Sequence, residues 1–201
     1  LTTNSAGTTF AMDGKEWTIN LLGHFQMYNA AVAVLIGQKL GLSDEEIQRG
    51  LFVEDQTKMR AELVHLAGFD ILNDAYKSNP QALEEALTTV GMLAGYKSKI
   101  AILGDMLELG EDEAELHRES GRKINPNDID YVLFFGDLSR YMMEGALENF
   151  PPSRLFHFNT KLDLIDKAKY LIDKKSLVHV TASRSMKLEE VIEAIQAVTL
   201  V

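Results

Sequence analysis

The chain has 201 residues, 46% apolar and 25% charged, which suits a globular protein of one ample domain or one domain plus part of another. Its formal charge of −10 leaves no visible basic surface of the kind that displaces counterions from a nucleic acid duplex. It holds no cysteine, which excludes disulfides, thiolate nucleophiles and Cys-based zinc sites and fits a cytoplasmic setting.

In chain order, Leu1–Gly7 shows neither the basic-then-apolar pattern of a secretory signal nor an initiator Met, so a piece of a longer chain is expected. Thr8–Met12 and Trp17–Leu22 alternate apolar and polar residues around Asp13-Gly14, a strong hairpin signal. Gly23–Leu40 carries Met27, Ala30, Ala31, Val34 and Leu35 at helical spacing. Val32, Ala33 and Ile36 widen the stripe and predict a helix buried on most sides. Ser43-Asp44-Glu45-Glu46 reads as a capping box opening a short helix to about Leu51. Residues 53–58 are polar and unpatterned, a linker between a part at 1–52 and a part at 59–201.

Beyond the linker, strands and helices alternate. Strands are expected at Glu62–Ala67, Phe69–Asn73, Lys99–Leu103, Tyr131–Phe135, Leu155–Phe158 and Leu177–Thr181. Helices are expected at Pro80–Ala94, Glu111–Lys123, from Gly136-Asp137 to about Leu147, at Thr160–Asp173 and at Lys187–Val198, the last with Leu188, Val191, Ile192, Ile195 and Val198 inward. Asn79 suits an N-cap and Pro80 a first helical residue. The class is therefore α/β: a Rossmann-like, mainly parallel sheet with helices on both faces, preceded by a β-hairpin and helices. No apolar run approaches the roughly 20 residues of a membrane helix.

Ligands bind such sheets at the carboxyl ends of the strands, which singles out three polar loops. In Asp74-Ala75-Tyr76-Lys77-Ser78-Asn79 a carboxylate, a ring, an ammonium and an amide crowd a helix N-terminus, which suits a nucleotide or polar ligand. Asn79 as a mere cap and Asp74 as a partner for loop amides explain the same residues. In Gly104-Asp105-Met106-Leu107-Glu108-Leu109-Gly110 the carboxylates suit an amine or a metal-bound group, or the loop is a turn rimmed by Leu107 and Leu109. The acidic run Glu108–Glu119 reads as a solvated helix face, with His117 on it a surface residue rather more readily than a catalyst. Ser183-Arg184-Ser185 suits a carboxylate or phosphate, or Ser185 is an N-cap with Arg184 in solvent. Arg60 reaches toward a neighbouring part or is a surface charge. There is no Gly-Lys-Ser/Thr phosphate loop, GxGxxG, GxSxG or HExxH.

Together these segments resemble the carboxyl-terminal part of the Mur ligases. Asp74-Ala75-Tyr76-Lys77-Ser78-Asn79-Pro80 is similar to the family's DAYNANP motif, with Lys77 and Ser78 for Asn and Ala. Leu103–Gly110 with Leu116-His117 matches LGDMxELG…LH. Ser183-Arg184-Ser185-Met186 with Leu188-Glu189-Glu190 resembles GSRxMxxEE, Ala182 standing for Gly. Gly23, Asn29, Ala30 and Ala31 match the end of the central ATP-binding domain, where Phe25 and Gln26 replace His-Asn and His24 stands one place early. The resemblance implies an ATP- and Mg2+-dependent ligase that works through an acyl phosphate, most like the members joining D-alanyl-D-alanine to UDP-N-acetylmuramoyl-tripeptide. It implies residues 1–52 as the tail of the central domain and 59–201 as the acceptor-substrate domain. The phosphate loop, most of the Mg2+ site and the rest of the catalytic set are expected upstream, so the chain alone should be inactive. Gln26, Asn29, Arg60, Asp74, Tyr76 and Asn79 are expected at ATP. Asp105, Met106, Glu108, His117, Ser183, Arg184 and Ser185 are expected at the acceptor, with Arg184 on its carboxylate. Another Mur-type or folylpolyglutamate-type ligase, or a non-enzymatic nucleotide-binding or interaction domain, remains an alternative.

Overall fold

The computed structural model describes residues 1–52 and 58–197. Residues 53–57 of the expected linker, and Val198, lie outside them. Strands β1 (Thr2–Asn4), β2 (Gly7–Met12) and β3 (Lys15–Ile19) form a small antiparallel sheet. The β2–β3 turn is the expected one: Asp13 and Gly14 both have positive φ, 52° and 75°, whose twist suits the flanking strands. Strand β1 was not expected, because three residues are too few to show alternation.

Helices α1 (His24–Lys39) and α2 (Asp44–Gly50) join this sheet around Phe10, Trp17, Ile19, Val34 and Ile47. The capping box of α2 forms: Ser43 Oγ accepts from the Glu46 N–H, and the Glu46 carboxylate accepts from the Ser43 N–H at 2.8 Å. Helix α1 departs from expectation. Only Ala30, Val34 and Gly37 are buried, while Phe25, Tyr28, Val32, Leu35 and Ile36 are each more than half exposed. The small sheet and α2 cover one stripe of this helix, and no described element covers those five side chains.

The larger sheet contains β4 (Glu62–His65), β5 (Asp70–Asp74), β6 (Ser98–Gly104), β7 (Tyr131–Phe135), β8 (Leu155–Phe158) and β9 (Ser176–Thr181). Their spatial order is β4-β5-β9-β6-β7-β8, and only β4 runs antiparallel. Helices α3 (Pro80–Met92), α4 (Glu113–Arg122) and α5 (Ser139–Ala146) cover one face; α6 (Lys161–Leu171) and α7 (Glu189–Gln196) cover the other. The strands divide by parity: Ala101, Leu103, Val132 and Phe134 pack toward α3–α5, and Ile100, Ile102, Leu133 and Phe135 toward α6 and α7. Among the described residues no helix is long and apolar enough to cross a membrane.

Register places the site. Thr181 of β9 lies opposite Asp74 of β5 and Leu103 of β6, and Gly104 lies opposite Phe135 of β7. The loops after β5, β6, β7 and β9 therefore leave one edge of the sheet together.

Helices α4 and α5 touch through glycine. A Cβ on Gly121 would lie 1.9 Å from the Met142 carbonyl oxygen, and one on Gly145 1.9 Å from that of Arg118. Ion pairs flank the contact, Arg118–Glu144 and Arg122–Glu148 at 2.9 Å, but such exposed, solvent-screened pairs contribute little. Backbone approach decides this interface. Gly121→Ala should cost about 2 kcal/mol or more in denaturant unfolding, and Glu148→Ala should be close to neutral in the same measurement.

His179 sits in mid-β9, fully buried, with no partner for either ring nitrogen among the described residues. Burial pushes its pKa down to about 4. The unfolded chain takes up this proton near pH 6.5 and the folded chain only near 4, so stability falls as pH drops through that window, by about 3 kcal/mol in all. His179→Leu should remove that share of the acid sensitivity, read as the difference between the two proteins' unfolding free energies at pH 7 and pH 4.

Candidate functional site

The β5–α3 junction is built locally. The Asn73 side chain accepts from the Ala75 N–H at 3.3 Å and turns the chain. Asn79 then caps α3, its Oδ1 accepting from the Ala82 N–H at 2.8 Å with Pro80 as the first helical residue. Facing this junction is the N-terminus of α1. Between them opens a cleft of about 390 Å³, within the roughly 300–1,000 Å³ typical of small-molecule sites. Leu22, Leu72, Ala82 and Ala86 supply its apolar lining; Gln26, Arg60, Asp74, Tyr76, Lys77 and Asn79 supply its polar groups.

Arg60 is delivered by a strained segment. Met59 and Ala61 both adopt left-handed backbone, at φ 62° and 48°, each costing about 1 kcal/mol or more for a residue with a side chain. Three contacts hold it. The Met59 N–H donates to Glu62 Oε2 at 2.9 Å, the Ala61 N–H donates to Asp74 Oδ1 at 3.1 Å, and the Arg60 guanidinium lies 4.7 Å from the centre of the Tyr76 ring. Burial pushes Asp74 up to about 6; the Ala61 N–H and the charge of Arg60 pull the other way but do not offset it.

Five of the six residues expected at a nucleotide line this cleft. Asn29 does not; it donates through Nδ2 to Gln26 Oε1 at 3.2 Å and orients that amide from behind. Sequence reasoning missed Glu85, which lines the cleft from α3 with its Oε2 4.0 Å from His24 Nδ1 on the opposite wall. A polar residue on a helix face carries no signal of what it faces.

The second and third loops come together beside this edge. Asp105 is buried: its Oδ1 accepts from the Ser139 N–H at 2.7 Å and its carbonyl from the Ser183 N–H at 3.0 Å. Ser183 Oγ accepts from the Leu107 N–H at 2.8 Å. Met106 is fully buried, and so is His117, which corrects the expectation of a surface histidine. The acidic helix α4 turns His117, Ser120 and Gly121 inward, so its other faces alone are solvated. Glu108 is exposed at φ 67°. Arg184 is exposed and pairs with Glu189 at 3.1 Å. Ser185 is not an N-cap: residues Arg184–Met186 form a 3-10 turn, Lys187 adopts φ 52°, and α7 begins only at Glu189. Among the described residues no group of three or more His, Asp or Glu converges as a metal site would.

A family profile described as "Mur ligase, glutamate ligase domain" matches residues 59–184. The chain belongs to the Mur ligase family. Among relatives, the UDP-N-acetylmuramoyl-tripeptide–D-alanyl-D-alanine ligase of Bacillus subtilis is 39% identical over 93% of this chain and 42% of its own length. The enzyme of that name from Haemophilus influenzae is 31% identical over 96% of this chain and 42% of its own. This Mur ligase chain thus spans about two fifths of the relatives it matches. Two solved structures share the fold, each 21% identical. MurF from Acinetobacter baumannii has a TM-score of 0.83 over 96% of this chain and 43% of its own. MurF ligase from Thermotoga maritima, in complex with ADP, has 0.76 over 94% of this chain and 42% of its own.

Asp74 is a stability cost at neutral pH. The unfolded chain loses this proton near pH 3.9 and the folded chain near 6, so stability falls as pH rises between them and stays reduced above. Asp74→Asn should be more stable than the native chain at pH 7, by about 1–3 kcal/mol, and indistinguishable at pH 3.5, in paired denaturant melts.

Proposed function

We propose that this chain is the carboxyl-terminal part of a cytoplasmic, ATP-dependent ligase that joins D-alanyl-D-alanine to UDP-N-acetylmuramoyl-tripeptide in peptidoglycan synthesis. One observation carries the reading: Gln26, Arg60, Asp74, Tyr76 and Asn79, chosen for a nucleotide, line a single cleft. Relatives of that name cover nearly the whole chain, and a neighbour of the same fold was solved with ADP. Residues 1–52 are read as the tail of the central ATP-binding domain and 59–201 as the acceptor domain. The separate apolar core around Phe10, Trp17 and Val34 supports that division.

The chemistry assigns roles by charge. A carboxylate oxygen of the tripeptide attacks the terminal phosphorus of ATP, and ADP leaves. The amine nitrogen of the dipeptide then attacks the acyl carbon, loses a proton, and inorganic phosphate departs. Arg60 carries a fixed positive charge at the cleft, suited to the phosphate oxygens whose charge grows in transfer. Asp74 is ionised at neutral pH and accepts hydrogen bonds from ribose hydroxyls. Tyr76, with one face toward Arg60, offers a flat apolar surface to the nucleotide. The loops at Asp105–Gly110 and Ser183–Ser185 are the acceptor side, where Glu108 suits an ammonium and Arg184 a carboxylate. Among the described residues no three carboxylates or histidines converge, and magnesium is read as held mostly by the part of the ligase upstream of this chain, where it would neutralise phosphate charge.

In the intact ligase, Asp74→Asn should raise the KM for ATP about tenfold, one charge-assisted hydrogen bond's worth, and leave that for D-alanyl-D-alanine unchanged. The native enzyme should lose ATP affinity as pH falls through 6, where Asp74 gains its proton, and the variant should not. An unchanged ATP KM in the variant would sink the assignment of this cleft.

A further inference from the structure

His117 matched a substrate-site motif in the sequence, yet its ring is wholly enclosed. We infer that His117 is a positioning residue: it sets the course of the acceptor loop through the Met106 amide and touches no substrate itself. The inference rests on the reading of Asp105–Gly110 as the acceptor side.

The hydrogen bonds select its tautomer. Nδ1 lies 2.7 Å from the Glu113 carbonyl oxygen, which can only accept. Nε2 lies 3.0 Å from the Met106 N–H, which can only donate. Both contacts are met at once by the neutral ring with its proton on Nδ1. Each nitrogen is thereby occupied by backbone. Neither is left to bind a dipeptide or to carry a proton to or from it.

What His117 does control is the path of the chain after β6. The first three loop residues, Asp105 to Leu107, are tied mainly by side chains. Ser139 donates to the Asp105 carboxylate, Leu107 donates to Ser183 Oγ, and Met106 donates to His117. The first tie runs to the first residue of α5 and the second to the loop after β9. His117 alone among the three joins the loop to α4, the helix that the loop leads into. Two residues beyond Met106, Glu108 is exposed in a left-handed conformation, so its placement is inherited from the tied residues. An error of about 1 Å in such a group costs on the order of a hundredfold in a reaction that depends on orientation.

The test uses the intact ligase with ATP, UDP-N-acetylmuramoyl-tripeptide and D-alanyl-D-alanine. His117→Leu fills much of the space without hydrogen bonds. It should raise the KM for D-alanyl-D-alanine about tenfold or more, the worth of one buried N–H left unpaired, and move that for ATP by less than about twofold. His117→Gln carries an amide acceptor and an amide donor at similar reach and should restore most of the loss. If His117→Leu does not fold, His117→Asn takes its place, being the same amide one methylene shorter and unable to span both partners. Equal rises in both KM values, an unchanged acceptor KM, or a Gln variant as impaired as the Leu or Asn variant would each overturn the inference. A native enzyme that does not use D-alanyl-D-alanine defeats the proposed function instead. One that does use it while the variants show no split defeats only the role of His117.

Discussion

Strand β9 is the last of the described strands and lies inside the sheet, hydrogen-bonded to β5 on one side and β6 on the other. All six of its residues are buried. Its two ladders bring Asp74, Thr181 and Leu103 level, and every candidate loop follows from that alignment. Ser183 can reach the Leu107 amide, 76 positions away in sequence, only because β9 has inserted beside β6 with this register. A parallel strand buried on both faces tolerates no slip, since one residue of shift would exchange its two apolar faces. His179 lies inside this strand as an unpaired polar group, and its neutral ring is tolerated because the surrounding ladder and apolar contacts outweigh its lost hydration.

The cleft at Asp74 sets binding against stability. A carboxylate is held in a poorly hydrated place, two residues around Arg60 take left-handed backbone, and an aromatic ring stays exposed beside a guanidinium. The buried carboxylate and the left-handed backbone oppose folding by a small amount, and all three features present a group outward. The loop at Asp105 works the other way. There the polar groups turn inward and satisfy one another, so the loop is stiff and only Glu108, Gly110 and their neighbours meet solvent. One site is open and strained, the other closed and supported. Under the proposed function, that division suits a nucleotide on one side and a small acceptor whose nitrogen must be aimed on the other.

Features whose partners lie within a few residues were legible in the sequence. The Asp13-Gly14 turn, the Ser43–Glu46 capping box and the Asn79 cap with Pro80 all formed as expected. The six strands of the large sheet were legible because apolar runs between turn residues have one stable use in an α/β protein. The helix-spaced apolar residues of α1 were read as burial, and that failed. Periodicity reports what a helix can bury, not what is present to cover it. His117 failed the same way: on a charged helix it reads as surface, but three residues of that helix face the core. The Gly121–Gly145 crossing carried no signal at all, because glycine in a helix reads only as a mild weakness until a second backbone lies against it.

The sequence by itself determined the elements, their caps and turns, the α/β class and the loops able to hold polar ligands, since each depends on bonds or spacings within a short stretch. Tertiary structure decided which of those polar residues face a ligand and which face each other. Asp74, chosen as part of a polar cluster, became one wall of a cleft because α1 stands opposite it. His117, chosen by the same kind of reasoning, became a buried support because α4 turns it toward Met106. Side-chain chemistry is written along the chain, but burial and pairing are relations between distant segments, and only the folded register supplies them.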